Sequence, residues 1–141
     1  MPLESIIKDQ IDASNKLSSA LGIKACRVES ATLEKIKNQG FNIIIGTPES
    51  WLKDEPKELL SSVYFRENLK CFVVDEVHLV SWGECDSPDE APFREAFNRI
   101  GELRSFISEN VPFLCLSATV NNNNVDLICS SCAISKNHLF L

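Results

Sequence analysis

The sequence predicts an α/β fold, a parallel sheet with helices on both faces. Four apolar runs rich in Val, Ile and Phe are predicted as strands, and helical patterns separate each run from the next. This alternation is typical of parallel sheets, because the helices that connect the strands cover both faces of the sheet. The predicted strands span residues 23–28, 41–45, 71–75 and 111–116.

Apolar spacing and helix-end signals predict the helices of the first half. Apolar residues three and four apart predict an amphipathic helix over 3–21, which ends at Gly22. Thr32 is placed to cap a short helix that stops at Gly40. Thr47 is placed to begin another helix, because its hydroxyl can accept a backbone N–H and the following Pro is tolerated at the first helical position.

The second half is predicted by the same signals. Composition predicts a loop over 81–92, and an apolar stripe from Phe93 to Ile107 predicts a long helix after it. A run of Asn precedes a predicted helix at 125–133, and residues 138–141 are compatible with one more strand.

Composition excludes several classes of protein. The chain has 141 residues, 44% hydrophobic and 24% charged, which is typical of a soluble globular protein. No apolar run approaches the ~18 residues that span a bilayer. The net charge of −6 argues mildly against a protein that coats nucleic acid, although it permits one strand in a local groove. Residues 1–141 are predicted to be a single partial domain, because neither end resembles a domain boundary and no linker interrupts them.

The six cysteines indicate a reducing compartment, cytosol or nucleus, because they are too few for a disulfide scaffold. Cys71 and Cys115 lie in apolar strand-like runs, where a free Cys acts as a small hydrophobe. Cys129 and Cys132 have the CxxC spacing, but no second Cys pair stands nearby. A zinc or redox site at this pair is therefore the less favoured interpretation.

Two adjacent carboxylates follow the third predicted strand, at the sheet edge where α/β folds bind ligands. Asp75 could hold Mg²⁺, which prefers one or two carboxylates together with phosphate and water oxygens. Glu76 could orient a water molecule against a phosphorus atom. From these residues alone, an acidic strand end that simply faces solvent is an equal alternative.

Four motifs, in order and suitably spaced, resemble motifs Ia, Ib, II and III of superfamily-two helicases. They are Pro2-Leu3 with Ile6, Asp9 and Gln10; Thr47-Pro48-Glu49; Asp75-Glu76-Val77-His78; and Ser117-Ala118-Thr119. Trp82-Gly83 and the segment at 93–104 make the sequence most similar to the RecQ family of DNA helicases. The resemblance implies an ATP-binding lobe of the RecA-like P-loop NTPase class.

The resemblance implies a role in ATP hydrolysis for five residues. Asp75 and Glu76 would be the Mg²⁺-binding and water-activating carboxylates of an ATP site. His78 would link that site to the DNA-sensing loop. Ser117 and Thr119 would bond back to the acidic box through their hydroxyls and transmit the nucleotide state.

The resemblance also implies DNA contacts. Thr47 and the amides of its helix would meet a DNA phosphate, since helix N-termini bind anions. Trp82, Phe93 and Arg94 would belong to an aromatic-rich loop that senses single-stranded DNA. Phe97 falls in the same segment, but its spacing from the next apolar residue favours a place in the core.

The sequence departs from the family at two places. It contains no Gly-x-x-x-x-Gly-Lys-[Ser/Thr] phosphate loop and lies outside the second RecA-like lobe, so both are expected from missing segments of the same protein. The chain alone is therefore expected to hydrolyse ATP negligibly. The proposed DNA-sensing loop also carries four carboxylates, which would repel phosphate: Glu84, Asp86, Asp89 and Glu90.

These observations favour a fragment of a RecQ-type helicase that couples ATP hydrolysis to 3′-to-5′ movement on DNA. Its expected location is the nucleus of a eukaryote or otherwise the cytoplasm. One alternative is a non-catalytic relic that binds DNA or a partner protein through a helicase-like surface. Another is an RNA helicase of the DEAD-box or DEAH type, which leaves Trp82-Gly83 and the segment at 93–104 unexplained.

Overall fold

The computed structural model describes residues 2–82, 91–120 and 122–135, in two compact units, Met1–Leu59 and Leu60–Leu141. The helices and strands are α1 (Pro2–Lys16), α2 (Ser18–Leu21), β1 (Ala25–Arg27), α3 (Leu33–Gln39), β2 (Ile43–Ile45), α4 (Pro48–Trp51), α5 (Asp54–Ser61), α6 (Val63–Asn68), β3 (Phe72–Val74), α7 (Ala91–Asn98), α8 (Ile100–Arg104), β4 (Phe113–Cys115) and α9 (Asn122–Ser131). Two 3₁₀ turns lie at Val28–Ser30 and Val77–Trp82. Within the described ranges, no helix has the length and apolar character needed to cross a bilayer.

The predicted parallel α/β class is confirmed. In the first unit β1 pairs with β2 in parallel, with Cys26 opposite Ile44. In the second unit β3 pairs with β4 in parallel, with Val73 opposite Leu114. Among the described residues the four strands therefore form two separate pairs, and each pair joins strands separated along the chain by helices, as crossover connections require.

The first predicted helix is divided in two. α1 ends at Lys16, and the N–H of Leu17 bonds to the C=O groups of both Ala13 and Ser14. Ile7 is buried, whereas Leu17 and Leu21 are 52% and 67% exposed, so the predicted stripe is covered only toward its N-terminal end. The prediction of one continuous amphipathic helix over 3–21 is therefore wrong.

A side-chain amide near the end of α1 joins this helix to the first strand. Asn15 accepts the N–H of Ala25 at 2.8 Å and donates to the Ala25 C=O at 3.2 Å. A partly buried backbone N–H or C=O costs free energy if it is left without a hydrogen-bond partner, and Asn15 satisfies both groups of Ala25. This contact explains how α1 is placed against β1 although the end of its apolar stripe stays exposed.

The predicted helix caps of the first unit are confirmed. The Thr32 hydroxyl accepts the N–H of Lys35 at 3.2 Å, and α3 ends at Gly40 in the left-handed conformation with φ +67°. The Thr47 hydroxyl accepts the N–H of Ser50 at 3.3 Å. These ends are local, which is why the sequence alone could predict them.

The long helix predicted from the stripe at 93–107 is also divided. α7 ends at Asn98 and α8 begins at Ile100, because the N–H groups of Arg99 and Glu102 bond three residues back instead of four. The part of the stripe after Phe93, whose side chain lies outside the described residues, is confirmed as core: Phe97, Ile100, Leu103 and Ile107 are all buried. The apolar pattern thus predicted the buried face correctly and the helix length wrongly.

The remaining boundaries differ from the prediction by a few residues. Residues 81–82 belong to the 3₁₀ turn and residues 91–92 to α7, so the predicted loop is shorter, while 83–90 lie outside the described residues. α9 begins three residues earlier than predicted and ends at Ser131. The possible strand at 138–141 lies outside the described residues.

The β3–β4 pair is apolar on both faces, but one face is buried and the other is exposed. Phe72 and Val74 are buried, and the Phe72 and Phe113 rings stack with centroids 5.1 Å apart. Val73 and Leu114, opposite each other on the other face, are 50% and 46% exposed. In the described part of the chain, the predicted helical cover therefore lies on one face of this pair.

Candidate functional site

The acidic turn after β3 is hydrogen-bonded to the end of β4. The N–H of Leu116 donates to the Val74 C=O at 2.8 Å, and the N–H of Val77 donates to the Leu116 C=O at 3.0 Å. The ladder between the two parallel strands therefore continues past their ends. It brings residues 75–78 and 117–119 together at the carboxyl edge of the pair, as the family resemblance implies.

The turn that carries the two carboxylates has an unusual backbone conformation at Glu76. Glu76 has φ +52°, in the left-handed region that a residue with a side chain adopts at a cost of about 1–3 kcal/mol. The N–H of Glu76 donates to Asp75 Oδ1 at 2.9 Å, which helps to hold the turn. Both residues are exposed, so both carboxylates are accessible to a ligand.

A histidine joins the acidic turn to the segment after β4. His78 Nδ1 lies 2.9 Å from Ser117 Oγ and 3.1 Å from Glu76 Oε2, and the His78 side chain is 15% exposed. A carboxylate can only accept, so the contact with Glu76 requires a proton on Nδ1. The N–H of Thr119 in turn donates to Ser117 Oγ at 3.3 Å.

The structure thus brings together the residues that the resemblance assigns to ATP hydrolysis and coupling. Glu76, His78, Ser117 and Thr119 form one hydrogen-bonded network, and Asp75 bonds to the backbone of the same turn. Thr119 joins through its backbone N–H, whereas the resemblance implies its hydroxyl. We call these five residues the acidic-turn network.

Asp75 fits a magnesium ligand. Its Oδ1 accepts one backbone N–H, and the carboxylate lies exposed at the strand end. Mg²⁺ prefers one or two carboxylates and fills its other positions with water and phosphate oxygens. Asp75 therefore has the chemistry and the accessibility of a ligand whose partner oxygens come from a nucleotide and from water.

The turn at Thr47 offers fewer backbone N–H donors to a phosphate than the sequence predicts. Pro48 has no N–H, the N–H of Ser50 donates to the Thr47 hydroxyl, and that of Trp51 donates to the Thr47 C=O. Within the described residues, this leaves the N–H of Glu49 as the donor that the first turn of α4 can offer to a phosphate. One amide is a weaker anion site than a full helix start.

A carboxylate also stands beside this turn. The hydroxyl group of the buried Ser50 donates a hydrogen bond to Glu29 Oε1. Arg27 Nε lies 3.5 Å from Glu29 Oε2. Burial acts most strongly and raises the pKa of Glu29, but the Ser50 hydrogen bond, a backbone hydrogen bond and nearby cations together lower that pKa below its ordinary value of 4.5. The ionised form of Glu29 is therefore favoured in the fold.

Replacing Glu29 by Gln is expected to destabilise the chain at neutral pH and to matter less in acid. Since the folded pKa is depressed, the ionised carboxylate stabilises the fold above a pH of about 4.5, and this stabilisation is lost as the pH falls through the lower folded pKa. Unfolding midpoints in urea at neutral pH and at about pH 3 measure the effect. Glu34→Gln, at an exposed position of α3, is the control; equal effects of Glu29→Gln at both pH values would contradict the assignment.

The structure describes the other predicted DNA contacts in part. Trp82 closes the 3₁₀ turn, and Phe93 and Arg94 lie in the first part of α7, but their side chains lie outside the described residues. Phe97 is buried, as its spacing predicts. The four acidic residues of the proposed loop fall within 83–90, also outside the described residues.

Sequence analysis missed a close approach at Gly101. A Cβ at this position would lie 2.5 Å from the Ser131 C=O oxygen, so α8 meets the end of α9 with no room for a side chain. A glycine inside a predicted helix was the signal that could have indicated it, because Gly is unfavourable there unless a close contact needs it.

Comparison with known proteins finds a family and relatives for this chain. The profile of the DEAD/DEAH box helicase family matches residues 1–128. The chain is 30% identical over 128 residues to the ATP-dependent DNA helicase hus2/rqh1 of Schizosaccharomyces pombe, and the match covers 85% of this chain and 9% of that protein. It is 32% identical over 126 residues to the ATP-dependent DNA helicase Q5 of Rattus norvegicus and to that of Mus musculus, covering 84% of this chain and 12% of each relative.

The chain thus spans about a tenth of the length of the curated relatives that it matches. The matched residues include the whole acidic-turn network, from Asp75 to Thr119, as well as the Thr47 turn. With the family profile covering most of its length and RecQ-type DNA helicases among its relatives, the chain belongs to the DEAD/DEAH box helicase family.

Proposed function

We propose that this chain supplies part of the ATP-hydrolysing site of a RecQ-type DNA helicase that moves 3′ to 5′ along single-stranded DNA. The observation that carries the proposal is the acidic-turn network. It places two exposed carboxylates at the carboxyl end of β3 and connects one of them, Glu76, through His78 to Ser117. A solvated acidic strand end would need neither the left-handed Glu76 nor this connection.

In the proposal, Asp75 and Glu76 have different tasks. Asp75 holds a magnesium ion, which neutralises charge on the phosphates when it is bound. Glu76 accepts a hydrogen bond from the attacking water and orients it toward the terminal phosphorus. The left-handed backbone at Glu76 supports this division, because it turns the chain sharply between the two carboxylates.

His78 and Ser117 transmit the state of the nucleotide. The Glu76 carboxylate, which orients the water in this proposal, contacts His78 Nδ1, and the same Nδ1 contacts Ser117 Oγ. A change in charge or position at Glu76 therefore alters the hydrogen bond that reaches the segment after β4. Thr119 extends the path through its bond to Ser117.

The proposal assigns the phosphate cradle and the second lobe to other segments of the same protein. This chain contains no Gly-x-x-x-x-Gly-Lys-[Ser/Thr] sequence, and phosphoryl transfer depends on cations placed around the phosphates. The relatives are each named as an ATP-dependent DNA helicase and are much longer than this chain. Their named activity supports ATP and DNA as the ligands of the whole protein.

The DNA contact of the proposal depends on residues of two kinds. At the Thr47 turn, the N–H of Glu49 can meet a phosphate, although the ionised Glu29 nearby weakens this site. In the proposal, Trp82, Phe93 and Arg94 make most of the DNA contact. Aromatic rings can stack on the bases of single-stranded DNA, and the Arg94 cation can attract its phosphates.

A segment exchange tests the function. The matched 126-residue segment of mouse helicase Q5 is replaced by that of this chain, and ATP hydrolysis is measured with and without single-stranded DNA. We expect DNA-stimulated hydrolysis and unwinding of duplexes that carry a 3′ tail in preference to a 5′ tail. A folded chimera that binds DNA and never hydrolyses ATP would instead support the non-catalytic relic.

In the same chimera, Ser117→Ala is expected to lower the stimulation by DNA while leaving the basal rate nearly unchanged. Loss of a link of this kind changes coupling by about 0.5–2 kcal/mol, or roughly 2- to 30-fold. Ser105→Ala, at an exposed helix end, is the matched control. Equal losses in the basal and the stimulated rates would count against a coupling role for Ser117.

A further inference from the structure

A groove lies between α1 and the end of β1, within the first unit. Its volume is about 540 Å³, which is in the range of small-molecule sites. Two cations, two hydroxyl groups and an apolar floor line it: Lys8, Arg27, Ser5, Ser30, Ile11 and Cys26. None of these residues belongs to the acidic-turn network, so the groove has no role in the function proposed above.

The charge of the groove is opposite to that of the whole chain. The chain has a net charge of −6, yet the described residues that line the groove include two cations and no carboxylate. Asp9 and Asp12 belong to α1 but do not line it. Burial raises the pKa of the Cys26 thiol, and the positive charge of the nearby Lys35 opposes this rise. A concave surface with one sign of charge attracts ligands of the opposite sign, so this groove attracts anions.

Hydrogen-bonded neighbours hold one of the two cations in place. Arg27 Nε lies 3.5 Å from Glu29 Oε2, and the buried Ser50 donates its hydroxyl hydrogen to Glu29 Oε1. The side chains of Arg27 and Glu29 are 35% and 37% exposed, so water weakens this ion pair. A guanidinium carries five N–H donors, and contact with Glu29 through Nε is therefore compatible with a second acceptor.

The donors of the groove suit a phosphate group. The planar guanidinium of Arg27 matches the geometry of phosphate oxygens, and the ammonium group of Lys8 binds them as a point charge. The hydroxyl groups of Ser5 and Ser30 can donate to further oxygens. The groove is much larger than one phosphate ion, and its apolar floor can contact a sugar ring attached to the phosphate.

We propose that the groove between α1 and β1 binds the phosphate group of a nucleotide through Lys8 and Arg27. Ser5 and Ser30 are further donors, and Ile11 and Cys26 contact the sugar. Two sources offer this chemistry: a free nucleotide, and the sugar-phosphate backbone of a single strand. The inference does not depend on the proposed function, because phosphate binding at the groove requires neither the acidic-turn network nor ATP hydrolysis.

An NMR titration of the 141-residue chain with thymidine 5′-monophosphate tests the site. The titration is run without divalent cations and at constant ionic strength, so that screening of the charges stays the same. We expect saturable shifts of backbone amides within 5–11 and 25–30, and no comparable shifts within 75–78 and 117–119. Saturable shifts at the acidic-turn network alone would overturn this inference and leave the proposed function intact.

Substitutions identify the residues that bind the phosphate. Lys8→Gln and Arg27→Gln should each weaken binding of thymidine monophosphate about tenfold or more, the lower end for a hydrogen bond to a charged group. Lys8→Arg keeps the charge and should keep most of the affinity. Lys16→Gln removes the same charge from an exposed position of the same helix, so it is the matched control and should weaken binding about twofold or less.

Equal losses in all three Gln variants would reduce the effect to the general charge of the chain and overturn the site. Lys8 is exposed, so its variant decides the question even if Arg27→Gln fails to fold. A groove that thymidine monophosphate does not saturate at millimolar concentrations, and that a single-stranded oligothymidylate does not shift, would also overturn it.

The oligothymidylate, made without terminal phosphates, distinguishes the two sources. If it shifts the same amides and competes with thymidine monophosphate, the groove binds backbone phosphates of a strand. If it leaves the groove unshifted while thymidine monophosphate binds, the groove binds the terminal phosphate of a free nucleotide. Either result supports a phosphate site at Lys8 and Arg27.

Discussion

Replacing Glu76 by Gln is expected to lower DNA-stimulated ATP hydrolysis by the Q5 chimera about 10²- to 10⁴-fold, the range that a positioned general base contributes. Gln keeps an oxygen that can accept from His78 Nδ1, so the contact seen at 3.1 Å can persist. It also has the same backbone preferences at φ +52°. The substitution therefore removes the negative charge and little else.

The measurement compares steady-state hydrolysis with binding of Mg-ATP in the same chimera. Binding should stay nearly unchanged, since Asp75 and not Glu76 is assigned to the metal. Glu67→Gln, at an exposed position of α6, is the matched control and should leave the rate unaltered. Turnover that survives Glu76→Gln would refute the role of Glu76 and leave the left-handed turn without a catalytic explanation.

Gly101→Ala is expected to destabilise the chain, although Ala is the better helix former. In an exposed helix interior this substitution gains about 0.8–1 kcal/mol. Here the new Cβ would lie 2.5 Å from the Ser131 oxygen and 3.3 Å from its carbonyl carbon, and backbone atoms cannot rotate away. Overpacking of this kind costs about 1–3 kcal/mol, so the clash outweighs the propensity.

Urea unfolding of the chain measures this effect as a lower midpoint with an unchanged slope. Asn98→Ala, at an exposed position near the end of α7, is the control and should shift stability by less than about 0.5 kcal/mol. A Gly101→Ala chain that is more stable than the native chain would show that α8 and α9 do not approach each other as closely as the structure indicates.

The features that the sequence predicted well depend on short stretches of chain. The caps at Thr32 and Thr47 and the end of α3 at Gly40 use side chains and backbone within a few residues of one another. The buried stripe that includes Ile100 and Leu103 follows from apolar spacing alone. Helix lengths were predicted less well, because the breaks at Leu17 and Arg99 depend on hydrogen bonds that the apolar pattern does not encode.

For the candidate site, the sequence determined which residues follow which strand, and the resemblance to the RecQ family implied that the acidic box and Ser117 meet. The tertiary structure decided how they meet: His78 Nδ1 lies between Glu76 and Ser117, and Thr119 joins through its backbone N–H. The physical reason is that a parallel pair joins strands distant along the chain. The order and type of the residues can be taken from each segment of the sequence by itself. The contacts between β3 and β4 depend also on the register of the two strands and on the packing of α9, which no single segment specifies.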